Sequence, residues 1–265
     1  SKLYIGKGLC VSAQAFCPNI AFFIIIMCET LSGLYRLQIP GGQFALSTDS
    51  MVLADFCRVR AGQKILDLGC GCGALSLLLL AKEPTLSLLG LEVQPQAAQA
   101  ARENAQRNAL SGRFSVLEGD LRDGRTLLGA QRFDAVVCNP PYYPAGNGAQ
   151  RAQPQLQTAR SEISCSLEDI CRCAAYALRW GGAFFLVHKP ERLTDVLLSL
   201  RNARLEPKRL QLVRHTPEAR VSLVLVEARL GGRPGLELLQ DLTLYHTGGA
   251  PTADCRRIYH MQEEA

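Results

Sequence analysis

The sequence predicts an α/β protein built on a mostly parallel sheet of seven strands, with helices on both faces and an antiparallel strand pair near the C-terminus. From Leu31 onward, short apolar runs alternate with helical stretches, which is typical of a parallel sheet. A glycine-rich turn joins the first buried strand to a helix. The 265 residues are 48% hydrophobic and 20% charged, which gives enough apolar chain for one large core and excludes a mostly disordered protein.

The individual elements follow from apolar patterns and turn signals. Buried or alternating apolar runs predict strands at residues 64–68, 86–92, 114–117, 133–138 and 183–188, and the closing strand pair at 210–214 and 221–228. Helical patterns predict helices at residues 74–81, 95–108 and 191–202, and a further helix that begins at the capping box Ser166–Asp169 and ends at Gly181 and Gly182. The Gly-, Ala-, Gln- and Pro-rich stretch 144–161 is interpreted as a loop beside the site.

Residues 1–30 are interpreted separately from a single domain at residues 31–265. The run 20–28 is strongly apolar, but nine residues are too few for a bilayer, which needs about twenty. Lys2 and Lys7 give it a faint resemblance to a signal peptide. We favour an added strand, a packed extension or a start site placed too early, and we expect a cytoplasmic protein without membrane association.

Charge and cysteine usage limit the class of protein further. The balance of 29 Lys and Arg against 24 Asp and Glu gives +5, which permits a polyanionic partner without requiring one. Several of the eleven cysteines lie in apolar runs and are interpreted as buried thiols in a reducing compartment. The C-x-C pairs at Cys70/Cys72 and Cys171/Cys173 lack the spacing of a zinc site, so we expect no metal.

The turn after the first strand carries the first chemical signal. Gly69, Gly71 and Gly73 alternate in it, and backbone without side chains can approach a nucleoside-bearing ligand closely. Asp67 lies two residues before the first glycine, where a carboxylate would repel a dinucleotide pyrophosphate but attract the amino group and sulfonium of S-adenosylmethionine. Glu92 ends the next strand and could accept both ribose hydroxyls, and Asp120 follows the third strand, where it could accept from an adenine amino group.

The sharpest motif is Asn139-Pro140-Pro141-Tyr142, directly after the strand 133–138. The prolines stiffen the turn, so the Asn139 side-chain carbonyl and the Pro140 backbone carbonyl are expected to face one place. Such a pair suits a planar –NH₂ group, because accepting both protons frees the nitrogen lone pair for attack. Tyr142 offers a ring on which a flat substrate can stack. The pattern predicts transfer of a methyl group to an amine, with no metal and no covalent nucleophile.

Residues 31–262 resemble a Rossmann-like class I S-adenosylmethionine-dependent methyltransferase of the N-methylating branch. More narrowly, they resemble the tRNA (adenine-N6)-methyltransferase family that modifies adenine 37 of a valine tRNA. Four stretches carry this resemblance: Phe44–Asp55, Asn139–Gly148, His188–Arg192 and Arg256–Tyr259. In the first of them, Ser50 stands where the family is expected to have Ala.

The resemblance implies a function and a set of site residues. Asp67, Gly69 and Gly71 would line the methionine end of the cofactor, and Gly73 would bind the cofactor from the same turn. Glu92 would hold its ribose and Asp120 its adenine, while Thr48 and Asp49 would help to close the pocket. Asn139, Pro140 and Tyr142 would hold the target amine, with Asn139 also beside the cofactor. The implied substrate is a tRNA, with no stable protein partner.

Two other functions remain open at this point. The first is N5-methylation of a glutamine side chain in a peptide release factor, which uses the same motif on another flat –NH₂ group. The second is an RNA-binding scaffold that has lost catalysis. Six basic residues could contact phosphates or could form an ordinary solvated face: Arg201, Arg204, Lys208, Arg209, Arg214 and Arg220.

Overall fold

The structure is a computed structural model that describes residues 3–5, 9–11, 27–31, 35–39, 47–141 and 165–259, with side chains at 35–37, 47–141 and 165–259. Three parts of the sequence predictions lie outside these residues. They are Tyr142, the predicted loop 144–161, and residues 20–26 of the apolar run.

The described chain contains thirteen strands and seven α-helices, with two short 3₁₀ turns. The strands are β1 (Leu3–Ile5), β2 (Leu9–Val11), β3 (Met27–Leu31), β4 (Tyr35–Ile39), β5 (Lys64–Leu68), β6 (Ser87–Glu92), β7 (Phe114–Glu118), β8 (Phe133–Cys138), β9 (Leu178–His188), β10 (Leu205–Arg214), β11 (Val221–Leu230), β12 (Glu237–Leu238) and β13 (Leu242–Thr243). The helices are α1 (Thr48–Phe56), α2 (Ala74–Lys82), α3 (Pro95–Arg107), α4 (Gly124–Leu127), α5 (Leu167–Ala177), α6 (Leu193–Asn202) and α7 (Ala253–Ile258).

The main sheet confirms the predicted fold class. Its strands lie in the order β12-β10-β11-β9-β8-β5-β6-β7, with β13 beside β10. Strands β5 to β9 are parallel, and β11 is antiparallel to both β9 and β10. The seven long strands match the predicted sheet, and the two-residue strands β12 and β13 extend its edge. After β7 the chain crosses to β8 on the other side of β5, so the strand order reverses between the neighbours β5 and β8.

Helices cover both faces of this sheet and divide the core in two. Phe184 and Phe185 are adjacent on β9 and both fully buried, yet they belong to different clusters. Alternating side chains on a strand point to opposite faces, so each Phe anchors one layer. Phe185 packs with the layer that contains Val52 of α1 and Leu77 of α2. Phe184 packs with the layer that contains Ile170 of α5.

The helix that begins at Ser166 shows one correct and one wrong prediction. The capping box is confirmed, because the Ser166 and Asp169 side chains each accept the other residue's backbone N–H. The predicted end at Gly181 and Gly182 is wrong, since the helix ends at Ala177 and β9 begins at Leu178. The pairing of β8 with β9 shifts between Leu178 and Ala183, and Gly181 there has φ +75°. The two glycines therefore mark an irregularity within the strand instead of a helix end.

The N-terminal strands form a separate antiparallel sheet in the order β1-β2-β3-β4. The backbone of Arg36 on β4 binds the Asn108 side chain through an N–H to Oδ1 bond and an Nδ2 to C=O bond, both 2.8 Å. Strand β3 runs across the boundary between residues 30 and 31, and the division into two parts stays a prediction. Within the described residues, no helix is both long enough and apolar enough to cross a bilayer.

Candidate active site

A cavity opens where the strand order of the sheet reverses, at the carboxyl ends of the central strands β5, β6 and β8. Leu68 of β5 pairs with Cys138 of β8 on one side and with Leu91 of β6 on the other. This register makes the glycine turn and the Asn-Pro-Pro corner leave the sheet side by side. The cavity has a volume of about 530 Å³, within the range of about 300–1,000 Å³ typical of small-molecule sites. Its described lining residues are Ser47, Asp49, Leu68, Gly69, Gly71, Leu91, Glu92, Val93, Gln94, Gly119, Asp120, Leu121, Cys138, Asn139, Pro140, Pro141, Cys165 and Ile170.

The glycine turn takes a backbone path that favours glycine at each alternate position. Gly69, Gly71 and Gly73 have φ angles of +71°, +56° and +87°, in the left-handed region. Gly69 and Gly71 line the cavity, whereas Gly73 is the residue before helix α2. A Cβ atom at Gly73 would lie 2.7 Å from Cε1 of Phe114. Gly73 therefore lets the helix pack closely on the sheet, and Gly69 and Gly71 present backbone to the cavity.

Glu92 ties this turn to the end of β6. Its side chain is 6% exposed and lines the cavity. Oε2 accepts the Gly71 N–H at 2.9 Å, and Oε1 accepts the Gln94 N–H at 2.9 Å. A carboxylate oxygen has two lone pairs, so each oxygen can accept one more donor, as the predicted ribose contact requires. Glu92 thus fixes the turn and lies where the prediction placed it.

Asp67 lies behind the cavity and not among its lining residues. It is 1% exposed, and its Oδ2 accepts the Ser76 hydroxyl proton at 2.7 Å. Burial raises the pKa of Asp67 from 3.8 to about 7, with a smaller contribution from the charge of Glu92, and the Ser76 hydrogen bond opposes this rise. Asp67 therefore joins the end of β5 to helix α2 behind the cavity, and with a pKa of about 7 its carboxyl group is only partly ionised at neutral pH.

We expect Asp67→Asn to remove a pH dependence of stability. The pKa of Asp67 is higher in the folded than in the unfolded state, so ionisation penalises the folded state. The penalty is absent below about pH 4, grows up to about pH 7 and is constant above. At 1.36 kcal/mol per pKa unit, the variant should gain about 3 kcal/mol of unfolding free energy over the wild type between pH 5 and pH 8. Urea unfolding at intervals across this range measures the difference, and parallel curves would contradict the assignment.

Asp120 lines the cavity beyond β7 but is already engaged. Its Oδ1 accepts the Arg122 backbone N–H at 2.8 Å, and its Oδ2 accepts the Arg122 Nε–H at 2.8 Å. These hydrogen bonds and the guanidinium charge lower the pKa of Asp120 below its usual value. Asp120 is therefore paired with Arg122, which does not line the cavity, and the predicted adenine contact would have to share this carboxylate.

The Asn-Pro-Pro corner contributes Asn139, Pro140 and Pro141 to the cavity. Pro140 is buried and Asn139 half-buried. Nδ2 of Asn139 donates to Oγ of Ser50 at 3.0 Å, which links the corner to helix α1. The corner and the glycine turn thus lie on one cavity, as the polarisation mechanism requires.

Helix α1 forms one side of the cavity near its first turn. Asp49 lines the cavity, as does Ser47, whose side chain caps the helix by accepting the Ser50 N–H. Thr48 does not line it, and its Oγ1 instead accepts the Tyr259 hydroxyl proton at 2.9 Å. The two sequence stretches that contain Thr48 and Tyr259 therefore meet in space, and Thr48 holds α1 against the C-terminal segment.

Several lining residues were not predicted from the sequence. Gln94 and Leu121 follow the ends of β6 and β7, so their placement follows from the register, whereas Ser47 is the capping residue of α1 beside the predicted Thr48 and Asp49. Cys165 and Ile170 come from the start of α5, and no motif marks them. Burial raises the pKa of the Cys138 and Cys165 thiols, which keeps them protonated and poor nucleophiles.

The six basic residues are mostly engaged within the protein. Arg201 pairs with Glu206 at 3.1 Å, Arg209 with Glu227 at 2.7 Å and Arg214 with Asp241 at 2.7 Å. The Arg204 guanidinium lies 5.4 Å from the ring centre of Trp180, and Lys208 donates to the Arg233 carbonyl. These contacts favour the interpretation of an ordinary protein face over that of a row of phosphate contacts.

The charges of the cavity decide which ligand class fits. Among the described lining residues the charged ones are Asp49, Glu92 and Asp120, and none is Lys or Arg. Such a lining suits a cationic nucleoside such as S-adenosylmethionine and disfavours a pyrophosphate. Within the described part of the chain, no group of three or more His, Cys, Asp or Glu could hold a metal ion.

Comparison with known proteins agrees with this geometry. The model of the methyltransferase small domain family matches residues 44–201. A tRNA1(Val) (adenine(37)-N6)-methyltransferase of Porphyromonas gingivalis strain W83 is 32% identical over 201 residues, covering 74% of this chain and 78% of that protein. A protein of the same name from Vibrio cholerae serotype O1 strain M66-2 is 30% identical over 213 residues, covering 80% and 85%.

A solved structure shares the fold. The crystal structure of a predicted O-methyltransferase from Agrobacterium tumefaciens superposes with a TM-score of 0.67 at 24% identity, covering 80% of this chain and 96% of that one. This likeness confirms the expected class I fold, and the family model and the two relatives confirm the expectations of an enzyme and of S-adenosylmethionine as its cofactor. The family model and the two relatives show that the chain belongs to the class I S-adenosylmethionine-dependent methyltransferases, in the family of the tRNA1(Val) (adenine(37)-N6)-methyltransferases.

Proposed function

We propose that this enzyme methylates the N6 amino group of an adenine in a tRNA, with adenine 37 of a valine tRNA as the expected target. The observation that carries the proposal is the placement of Asn139 and Pro140 on the same cavity as Gly69, Gly71 and Glu92. An amine acceptor and a nucleoside site thus share one space. The names of the two relatives support the tRNA substrate.

The chemistry assigned to this chain is alignment and polarisation. When bound, S-adenosylmethionine supplies a methyl group that sulfur makes electrophilic. The Asn139 side-chain carbonyl and the Pro140 carbonyl accept the two protons of the adenine –NH₂, which localises the nitrogen lone pair. Transfer would form the new N–C bond as the S–C bond of the cofactor breaks, and the excess proton would leave the nitrogen for water. Pro140 and Pro141 keep this corner stiff, so little reorganisation accompanies the reaction.

Binding of the cofactor is assigned to the remaining site residues. Gly69 and Gly71 would serve the methionine end, Glu92 the ribose and Asp120 the adenine, with Asp49 at the side of the cavity. Asp67, Thr48 and Gly73 would act indirectly, by holding the elements that carry these residues. A base in a single-stranded anticodon loop can be splayed out at modest cost, so it can reach such a recessed corner. Tyr142 is proposed to stack on it. The eight cysteines at positions 57–255 are all free thiols, which is consistent with action in the reducing cytoplasm.

The test offers two substrates to the same enzyme. Purified protein is incubated with methyl-labelled S-adenosylmethionine and either unmodified total tRNA or a peptide release factor. We expect label in the tRNA, recovered as N6-methyladenosine after digestion to nucleosides, and none in the release factor. Methyl-glutamine in the release factor, with tRNA unlabelled, would overturn the proposal and favour the alternative substrate. Cofactor binding without labelling of either would contradict both.

A further inference from the structure

Ser50 is a polar residue of α1 to which the proposed chemistry gives no part. It is 8% exposed, and its hydroxyl oxygen accepts Nδ2–H of Asn139 at 3.0 Å across 89 positions of sequence. The resemblance to the methyltransferase family predicts Ala at this position, and an alanine side chain could not make this hydrogen bond. The hydroxyl is therefore a feature of this chain that touches the residue on which the proposed mechanism depends.

The contact matters because the two ends of an Asn side chain have nearly the same shape and opposite hydrogen-bonding character. A half-turn of the amide would exchange the carbonyl oxygen for the NH₂ group. In this structure the amide NH₂ group donates to the Ser50 hydroxyl on helix α1, so the carbonyl oxygen lies on the side away from α1. A hydroxyl can also donate, so in the reversed orientation Ser50 would bind the carbonyl oxygen and the NH₂ group would take the place of the acceptor. The contact in the structure corresponds to the orientation that the proposed chemistry needs.

Ser50 is itself held in place by the start of α1. The Ser47 hydroxyl donates to Oγ of Ser50, and the Ser50 backbone N–H donates to Oγ of Ser47, each at 3.3 Å. Ser47 is the capping residue of α1 and lines the cavity. At the C-terminal end of α1, the Lys82 side chain of α2 donates to the carbonyls of Ala54 and of the capping residue Cys57 at 3.0 and 2.7 Å. The acceptor therefore lies on a helix fixed at both ends.

We propose that Ser50 is a positioning residue that fixes the Asn139 amide with its carbonyl oxygen toward the substrate amine. The proposal rests on the proposed function, because it assigns Ser50 a role only through Asn139. Ser50 does not touch the reacting atoms. Its loss lets the amide sample the reversed orientation, in which the NH₂ group repels the amine that it should hold.

The kinetic test compares three serine variants. Ser50→Ala should lower kcat about five- to tenfold, the effect of one lost neutral hydrogen bond, while the KM for S-adenosylmethionine stays within twofold. Ser50→Thr keeps the hydroxyl and should retain more activity than Ser50→Ala. The matched control is Ser199→Ala, since Ser199 is 2% exposed on α6, donates to Glu168 at 3.1 Å and does not line the cavity. An unchanged kcat in Ser50→Ala would overturn the proposal.

A second readout does not depend on activity. The side-chain ¹⁵N–¹H₂ signals of Asn139 are identified by their absence from the spectrum of Asn139→Ala. In Ser50→Ala they should shift and broaden as the amide loses its acceptor, whereas in Ser199→Ala they should stay in place. Unmoved signals in Ser50→Ala would contradict the contact.

The two proposals fail differently. Full turnover by Asn139→Ala, or no adenine methylation by the wild type, overturns the proposed function and with it the positioning role. An inactive Asn139→Ala beside a fully active Ser50→Ala overturns only the role of Ser50. The double variant tests whether Ser50 acts through Asn139. If it does, the two effects on kcat are not additive, and Ser50→Ala should not lower the residual kcat of Asn139→Ala any further.

Discussion

Asn139→Ala is expected to lower kcat by a factor on the order of 10²–10³ or more, while the enzyme still binds S-adenosylmethionine. Removal of one preorganised polar group that acts in the transition state costs about this much in other enzymes. Here the variant loses one of the two carbonyls that accept from the amine, and water in the cavity replaces it poorly. The turn itself should persist, since Pro140 and Pro141 fix the backbone independently of the side chain.

The measurement separates chemistry from binding. Single-turnover methylation of tRNA reports the chemical step, and calorimetric titration with S-adenosylmethionine reports affinity, which we expect to change less than about tenfold. Asn108→Ala is the matched control, because Asn108 makes 2.8 Å bonds to the Arg36 backbone from outside the cavity lining. It should lose stability but keep kcat. Turnover near the wild-type value in Asn139→Ala would contradict the polarisation mechanism.

The parallel sheet could be predicted because its strands carry their own signals. The strands at residues 64–68 and 133–138 have the predicted bounds, since each is a short apolar run that ends at a glycine or an Asn-Pro turn. Their register then places Gly69 beside Asn139, so the position of the cavity follows from strand order alone. Local pattern and global topology agree at this edge, which is why the central part of the site was found.

Other features of the fold and of the site depend on side-chain orientations and on contacts that the sequence pattern does not specify. Gly181 and Gly182 resemble a helix end locally, but the pairing of β9 with β8 makes them an irregularity within a strand. The separation of Asp67 from the cavity depends on the hydrogen bond to Ser76, a helix residue that the turn places beneath it. The Asp120–Arg122 pair arises within one turn, yet whether it forms depends on how both side chains leave the strand end. Sequence alone does not determine such orientations.

The side-chain orientations of the basic residues at 201–220 could not be predicted from the sequence. In sequence, Arg209 is one of six positive charges in a row, whereas its side chain is directed into the protein. It is 9% exposed, and its guanidinium lies 4.5 Å from the ring centre of Phe56. Its partner Glu227 lies opposite it across β10 and β11, and this pairing joins two residues that are 18 positions apart.

We expect Glu227→Ala to lower the free energy of unfolding by about 3–5 kcal/mol, the cost of leaving a buried charge without its partner. Glu227 is 3% exposed, and it accepts from Arg209 at 2.7 Å and from Arg229 at 2.7 and 3.0 Å. Its removal leaves the Arg209 guanidinium buried, with Nε already lacking a hydrogen-bond partner. The matched control is Glu103→Ala, whose 3.1 Å pair with Arg107 is exposed and should cost less than about 0.5 kcal/mol.

Urea unfolding of the variants measures these costs, and a double variant identifies their origin. Arg209→Met together with Glu227→Leu removes both charges and leaves apolar side chains of similar length between β10 and Phe56. If the penalty comes from the uncompensated guanidinium, the double variant should be more stable than Glu227→Ala. Equal loss in both would assign the stability to the hydrogen bonds of Glu227 itself. A cost below about 1 kcal/mol for Glu227→Ala would instead mean that Arg209 reaches water once its partner is gone, which would return it to the set of residues able to contact RNA.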